Sequence, residues 1–267
     1  MSEAPATTPT ALRQAATIIV LRPEAHGTGA EVLLLQRSRK VGFFPRAWVF
    51  PGGRLDPEDH TLASEGTVPG LDAADRAFAV AAIRECFEES GIWLGHGRPS
   101  AELRDRLLDT RAGIVPADQL VPDLDRLRRW AWWVTPAAER RRYDTRFFVT
   151  CLTRAQSAHA THDTRETVDS LWLSPQNALD AAARGDLFVA PPTWRTLQEL
   201  AAFASIQQIW THAQTRPIPR VMPVLERAES GVAIHLPGHS THPDPVHPIH
   251  APFSRAIVWR DGRWHDA

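Results

Sequence analysis

Short apolar runs and longer stretches with helical spacing alternate along this chain. Residues 15–21 and 31–35 are apolar runs separated by a glycine-containing turn, so they predict two buried strands joined as a hairpin. Further short strands are predicted at 47–50, 130–134, 146–152, 167–173 and 232–235. Residues 256–264 predict a last hairpin that turns at Asp261-Gly262. The pattern predicts a mixed α/β protein.

Helical patterns occupy the intervals between these strands. From Asp72, a predicted N-cap, apolar residues at helical spacing continue to Gly91, where a glycine is expected to end the helix. Ser174-Pro175 is a second helix start, because serine caps well and proline is tolerated in the first turn. Helices are predicted at 72–90, 100–109, 123–129, 175–184 and 191–210.

The chain has 267 residues, which is enough for one good core with an appendage, and it contains no internal repeat or Gly/Ser linker. We therefore predict a flexible N-terminus at 1–14 and a single domain at 15–267. Within that domain we expect an insertion loop at 54–70, a helical insertion at 95–130 and a C-terminal extension at 186–267.

Composition and charge narrow the function classes. A net charge of −1 gives no electrostatic footprint for a nucleic acid polymer. The apolar runs are too short to span a membrane, and the first ten residues lack a secretory signal pattern. We expect a soluble, cytoplasmic protein, with a homodimer left open. The histidines at 235, 239, 242, 247 and 250 lie among prolines, which favours a surface loop over a zinc site.

The strongest chemical signal is the run Arg84-Glu85-Cys86-Phe87-Glu88-Glu89-Ser90-Gly91. On a helix, Glu85, Glu88 and Glu89 are spaced i, i+3 and i+4, so their carboxylates share one side. Such like charges destabilise a helix unless a positive group neutralises them. A solvated acidic surface is the simpler interpretation, whereas Mg²⁺ prefers this kind of oxygen ligand.

This run resembles the signature of the Nudix hydrolases, G-x5-E-x7-R-E-U-x-E-E-x-G-U, where U is bulky and apolar. The second half matches at Arg84, Glu85, Glu88, Glu89, Gly91 and Ile92. Upstream, Phe50-Pro51-Gly52-Gly53 is similar to the strand and turn that precede the signature. The first half differs from the signature in two ways. Position 76, eight residues before Arg84, holds Arg instead of Glu. Between Gly53 and position 76 the chain also has 17 more residues than the signature.

Other segments resemble one branch of this family, the branch of the peroxisomal coenzyme A diphosphatase, in which an insertion splits the signature. They cover roughly residues 15–210 and include 33–38, 44–45, 49–53, 81–85, 142–148 and 191–193. The resemblance implies a Nudix α/β/α sandwich with a mixed central sheet. It also implies metal-dependent hydrolysis of a diphosphate linkage in a nucleoside diphosphate derivative, with coenzyme A or acyl-coenzyme A as a lead.

The resemblance also implies roles for individual residues. Glu85, Glu88 and Glu89 would bind Mg²⁺ or Mn²⁺, with the Gly53 carbonyl as a further ligand, and Arg84 would hold the acidic side chains in place. The general base would be Glu89 or Glu166; an exposed loop acid is an equal interpretation of Glu166. Substrate phosphates are expected at Arg37, Arg39 and Arg46 and at the backbone of Gly52 and Gly53.

Several alternatives stay open at this level. The substrate could be a nucleotide sugar, a dinucleotide or an ADP-ribose-type compound. A Nudix-fold sensor that binds a nucleotide without hydrolysing it is a second possibility, although such proteins have degenerate signatures and this chain keeps three acids. Arg142, Asp144 and Arg146 form either a structural salt-bridge corner or a phosphate contact.

Overall fold

The computed structural model of this protein describes residues 11–39, 44–62, 64–73, 75–110, 113–228, 231–244 and 255–267. Most of the predicted flexible N-terminus, residues 1–10, and the histidines at 247 and 250 lie outside the described residues. The first strand begins at Arg13, within the segment that was expected to be flexible.

A mixed eight-stranded sheet forms the centre of the molecule, with the order β10-β7-β8-β1-β2-β3, while β4 pairs with β1 and β9 pairs with β2. The β1–β8 and β7–β10 pairs are parallel and the others are antiparallel. Its strands are β1 (Arg13–Pro23), β2 (Ala30–Arg37), β3 (Trp48–Val49), β4 (Gly52–Arg54), β7 (Arg128–Val134), β8 (Tyr143–Cys151), β9 (Thr167–Leu173) and β10 (Arg220–Val221). A two-stranded pair, β5 (Gly95–His96) and β6 (Val121–Pro122), lies outside it.

Helices cover both faces of this sheet. They are α1 (Arg76–Ser90), α2 (Ala101–Thr110), α3 (Pro175–Arg184), α4 (Pro191–Ala201) and α5 (Ile206–Thr215). Neighbouring residues of β1 point to opposite faces: Ile18 packs in a core with α1 and α2, and Ile19 in a core with α3, α4 and α5. The predicted α/β/α sandwich with a mixed central sheet is therefore confirmed.

The C-terminal strands form a separate antiparallel sheet with the order β11-β12-β13-β14. Its strands are β11 (Val224–Ala228), β12 (Gly231–His235), β13 (Ala256–Arg260) and β14 (Arg263–Asp266). The predicted hairpin turn is confirmed, since Asp261 and Gly262 have φ angles of 53° and 76°, the positive values that a tight two-residue turn requires. Among the described residues, no helix is long and apolar enough to cross a membrane.

Two predicted helices are wrong in extent. Residues 123–129 form only a single 3-10 turn over Leu124–Arg126, because Arg128 already pairs with Val149 of β8. The predicted helix at 191–210 is two helices, α4 and α5. The Ser205 hydroxyl accepts a hydrogen bond from the Gln208 amide at 3.2 Å and starts α5. Apolar spacing continues across this break and therefore did not reveal it.

Helix α1 begins at Arg76, four residues later than predicted. Asp72 accepts a hydrogen bond from the Asp75 amide at 2.9 Å, so it stabilises the turn before the helix. The helix ends as predicted, because Gly91 adopts a left-handed conformation with φ 74°.

In its described residues, the region predicted as a helical insertion, 95–130, holds one α-helix, α2, together with short strands and 3-10 turns. It packs on α1 through Leu107 and Ile114, which are both buried. The insertion predicted as a loop at 54–70 is also more ordered than expected. It contains a 3-10 turn at Pro57–His60, and its residues Leu62 and Val68 are buried in the same core as α1.

Candidate active site

A pair of glycines brings the backbone of β4 against the acidic side of α1. Gly52 and Gly53 pair with Thr17 and Ala16 of β1. A Cβ atom at Gly53 would lie 2.3 Å from a carboxylate oxygen of Glu85, and one at Gly52 would lie 2.4 Å from the carbonyl oxygen of Ala16. At Gly52 the contact is with backbone and excludes a side chain, whereas at Gly53 it shows that the backbone closely approaches the Glu85 carboxylate.

Arg84 lies at the centre of the acidic cluster, with only 2% of its side chain exposed. One terminal nitrogen, Nη1, donates to both Glu85 and Glu88 at 3.0 Å. Its Nε and Nη2 atoms donate to the two carboxylate oxygens of Asp59, both at 2.9 Å, and Nη2 also donates to the Arg54 carbonyl at 2.8 Å. The guanidinium is saturated with acceptors and fixes the orientation of three acidic side chains.

Asp59 is a site residue that the sequence interpretation missed. It is 1% exposed and forms a bidentate ion pair with Arg84. Asp59 stands six positions after Gly53, which is the spacing that the Nudix signature gives for its isolated acid. Counting backwards from Arg84 led to position 76 and missed it, whereas counting forwards from Gly53 finds it.

The insertion therefore follows Asp59 and does not precede the isolated acid. Between Asp59 and Arg84 lie 24 residues, where the signature has seven, so the insertion of 17 residues lies in this interval. Arg76 instead ties down the beginning of the inserted segment. Its guanidinium donates to the carbonyls of Leu62 and His60 at 2.8 and 3.1 Å and to the Ser64 hydroxyl at 2.6 Å.

Glu89 contacts the Gly52 backbone of β4 rather than Arg84. Its carboxylate accepts a hydrogen bond from the Gly52 amide at 2.9 Å. Burial and the neighbouring Glu85 raise the pKa of Glu89 well above its usual value, while Gly52 and Arg37 act in the opposite direction. Arg37, at the end of β2, therefore acts on Glu89 as a positive charge, and its role as a phosphate ligand stays a prediction.

The other two acids also have raised pKa values. Burial raises the pKa of Glu85 to about 8, with Glu88 adding to the effect and Arg84 opposing it. The pKa of Glu88 is raised chiefly by burial. For Arg84 burial acts to lower the pKa, but the surrounding carboxylates outweigh it and hold its pKa well above the usual value. The cluster has more negative groups than Arg84 alone can neutralise.

This donor set fits a hard divalent cation, because buried carboxylates with raised pKa values are stabilised when a cation replaces their protons. In the described part of the chain, however, no three acidic, histidine or cysteine groups converge on one cation position. Glu85 and Glu88 face Arg84, and Glu89 faces Gly52. Binding a cation would require rotation of these side chains.

A loop before β9 lies beside the cluster and carries Glu166. Asp163, which is 7% exposed, accepts hydrogen bonds from the amides of Glu166 and Thr167 and organises this loop. The Glu166 carbonyl accepts from the Ser38 amide at 2.7 Å, next to Arg37. The side chain of Glu166 is half-buried. The loop thus reaches the end of β2 near Glu89.

The predicted phosphate-binding arginines differ in their surroundings. Arg37 is half-buried, and its amide donates to the Ala47 carbonyl at 2.9 Å. Arg46 is exposed and adopts a left-handed conformation with φ 66°, and its amide donates to the Arg37 carbonyl. Arg39 is also exposed. Of these three arginines, Arg37 is the one whose charge acts to lower the pKa of Glu89 in the acidic cluster.

The cluster of Arg142, Asp144 and Arg146 has a structural role. Arg146 is buried, forms an ion pair with Asp144, and stacks on the Trp132 ring at 3.6 Å. Trp132 donates to Asp144 at 2.7 Å and completes the corner. Arg142 donates instead to the Thr135 carbonyl at 3.3 Å. These contacts favour the salt-bridge interpretation over a phosphate contact.

The sandwich, the glycine turn and the acidic helix held by one arginine define a Nudix hydrolase. A sequence profile described as the NUDT19 Nudix domain matches residues 62–200, and the chain belongs to this family. The chain is 31% identical to "Acyl-coenzyme A diphosphatase NUDT19" of Gallus gallus, over 80% of this chain and 73% of that protein. It is 28% identical to the Homo sapiens protein of the same name, over 86% and 80%.

A solved structure supports the fold independently. The structure described as a NUDIX hydrolase from Alicyclobacillus acidocaldarius superposes with a TM-score of 0.67 and 29% identity. The match covers 79% of this chain and all of that chain. The protein is therefore a Nudix hydrolase enzyme, and enzymes of this family generally use divalent metal ions.

Proposed function

We propose that this protein hydrolyses the diphosphate bridge of coenzyme A and its acyl derivatives in a reaction that requires Mg²⁺ or Mn²⁺. The observation that carries the proposal is similarity to acyl-coenzyme A diphosphatases over four-fifths of the chain, together with a complete acidic cluster around Arg84. A sensor without activity has no need for buried carboxylates that are held in defined orientations, so the cluster favours an enzyme.

Glu85, Glu88, Glu89 and the Gly53 carbonyl would hold the cation. When bound, it would neutralise charge on the phosphoryl oxygens and lower the barrier to attack by water. Arg84 would hold Glu85 and Glu88 beside the site until a cation binds, and their carboxylates would then rotate toward it.

The chain's own groups suggest how the substrate is placed. Arg37, close to Glu89, would bind a phosphate of the diphosphate, and the Gly52–Gly53 backbone allows close approach of a phosphoryl group. Arg39 and Arg46, on the adjoining segment, would bind phosphates further from the reacting bond. The base that takes the proton of the attacking water would be Glu89, with Glu166 as the second candidate.

The proposal is tested with a panel of diphosphates: coenzyme A, an acyl-coenzyme A, ADP-ribose, NADH and diadenosine polyphosphates, each with Mg²⁺ or Mn²⁺. We expect the highest kcat/KM for the coenzyme A compounds, measured from product formation. A clear preference for ADP-ribose, NADH or a dinucleotide would contradict the substrate assignment. Failure to cleave any of them, with binding retained, would indicate a sensor.

Glu88→Gln and Glu89→Gln test the site itself. We expect each variant to fold and to lose activity by roughly a hundredfold or more, because each removes a negative charge from the proposed cation site. The matched control is Glu102→Gln on the exposed side of α2, which should keep normal activity. Normal turnover by either site variant would reject the metal assignment.

The cytoplasmic location and a homodimer stay predictions from the sequence. Size-exclusion chromatography with light scattering tests the second of these directly.

A further inference from the structure

A cavity of about 250 Å³ opens between α3, α4 and the β13–β14 hairpin, away from the acidic cluster. Aromatic rings form much of its wall, with Phe188, Trp194, Trp259 and Trp264 among the lining residues. Leu179 and Leu187 add apolar surface, while polar side chains stand among the lining residues too. The cavity wall is therefore mixed, and it can contact both apolar and polar parts of a flexible ligand.

The aromatic wall continues toward the acidic cluster as a row of rings. Trp264 and Trp259 have ring centres 4.8 Å apart, Trp259 and Phe188 5.4 Å, and Phe188 and Phe44 6.0 Å. All four rings are only partly buried. A row of half-exposed aromatic rings is an apolar strip that a flexible chain can cover.

The row begins in the segment that pairs with Arg37. The Phe44 carbonyl accepts a hydrogen bond from the Ala47 amide at 3.3 Å, and the Ala47 carbonyl accepts from the Arg37 amide at 2.9 Å. Ala47 leads directly into β3 and on to Gly52, whose amide donates to the Glu89 carboxylate at 2.9 Å. A ligand with its diphosphate at Arg37 can therefore extend over Phe44 and Phe188 to the cavity.

One cavity residue has an unused acceptor. The Gln198 side chain donates through Nε2 to Asp266 at 2.8 Å, but its Oε1 atom is buried and accepts no hydrogen bond from the described residues. A buried acceptor without a donor is destabilising. The oxygen is closed off from the cavity, so the Gln198 side chain would have to rotate before an N–H group of a ligand could pair with it.

We infer that the aromatic row and the cavity bind the pantetheine arm of the substrate and the acyl chain that it carries. This inference rests on the proposed function and names the part of the molecule that the cavity takes. The arm combines amide N–H groups, which suit Gln198, with apolar stretches, which suit the rings. The cavity would therefore favour acyl-coenzyme A over free coenzyme A.

Binding of decanoyl-pantetheine, which has no diphosphate, tests the cavity apart from hydrolysis. Its titration is followed by tryptophan fluorescence, since Trp194, Trp259 and Trp264 line the cavity. We expect saturable binding to the unmodified protein and affinity weaker by about tenfold or more in Ala183→Phe, which fills the cavity from its rim. Gln198→Met should also weaken binding. Asn177→Phe, an exposed position of α3 outside the cavity, is the matched control.

Hydrolysis provides the second measurement. Ala183→Phe should lower kcat/KM for decanoyl-coenzyme A by about tenfold or more and change that for coenzyme A much less. Equal effects on both substrates, or an absence of decanoyl-pantetheine binding to the unmodified protein, would overturn the inference. Failure of the proposed function has a different signature, because the protein would then cleave neither coenzyme A compound whatever the result of the binding titration.

Discussion

Arg84 shows how a single buried cation organises several acids. A charged side chain that is 2% exposed would be strongly destabilising without partners, and here Asp59, Glu85 and Glu88 supply them. Asp59 is itself buried and accepts from Nε and Nη2 of the guanidinium, while Nη2 also donates to the Arg54 carbonyl. Asp59 and Arg84 therefore form a buried support for Glu85 and Glu88, which would rotate away from Arg84 to bind a cation.

Replacing Asp59 tests this division of roles. Asp59→Asn removes the charge opposite a buried guanidinium, so we expect the free energy of unfolding to fall by about 3 kcal/mol. Activity should fall by roughly tenfold because Glu85 and Glu88 lose their fixed support. Urea unfolding and steady-state kinetics measure the two effects.

Two further variants complete this experiment. Asp59→Glu, the residue of the family signature, should recover most of the activity, and Glu58→Gln in the same turn should change little. An Asp59→Asn protein with unchanged stability and activity would contradict the role of Asp59.

Cation binding should depend on pH because of the raised carboxyl pKa values. Glu85, with a pKa of about 8, holds a proton at neutral pH in the protein without a cation, and a bound cation must displace that proton. Affinity for Mn²⁺ should therefore rise as the pH increases from about 6 to about 8, by several-fold per unit. Electron paramagnetic resonance of free Mn²⁺ measures it, and a flat profile would contradict the assigned ligands.

At the level of elements, the inserted segment is part of the packed structure and not a free loop. It leaves the 3-10 turn that carries Asp59, buries Leu62 and Val68 against α1, and returns to the helix at Arg76. Arg76 holds the start of the segment through two backbone carbonyls and one hydroxyl. An insertion at this point is compatible with the site because Asp59 stays in contact with Arg84.

Arg76→Met tests the tether. Without its hydrogen bonds the segment after His60 should open more often, so limited proteolysis there should accelerate and the free energy of unfolding should fall by about 1–2 kcal/mol. Activity should fall less than in Asp59→Asn, because Arg76 does not contact the acidic cluster in the described contacts. Arg98→Met, at an exposed position, is the control. An unchanged rate of proteolysis would contradict the role of Arg76 and show that burial of Leu62 and Val68 is enough to hold the segment closed.

In the whole molecule, β1 is shared by both cores. Its alternating side chains enter the core of α1 and α2 on one face and the core of α3, α4 and α5 on the other. The parallel register with β8 extends along nine residue pairs and connects the two halves of the sheet. We therefore propose that the described parts of the chain unfold as one cooperative domain.

Ile18→Ala and Ile19→Ala test this cooperativity from opposite faces of one strand. Both side chains are fully buried, so each change should cost about 3 kcal/mol. In both variants, far-ultraviolet circular dichroism and tryptophan fluorescence should report one coincident transition. Val168→Ala, which is 48% exposed, is the control. Separate transitions for the two probes would show two independent units.

The sequence by itself determined most of the longer strands, the C-terminal end of α1 and the common side of Glu85, Glu88 and Glu89. These follow from local periodicity, in which residues a few positions apart decide the conformation. Tertiary structure decided the pairing of Asp59 with Arg84, 25 residues apart, and of Gly52 with Glu89, 37 residues apart. It also decided that residues 191–210 form two helices. Such contacts are stabilised by packing between segments that are distant in the chain, and local sequence patterns do not contain the free energy of that packing.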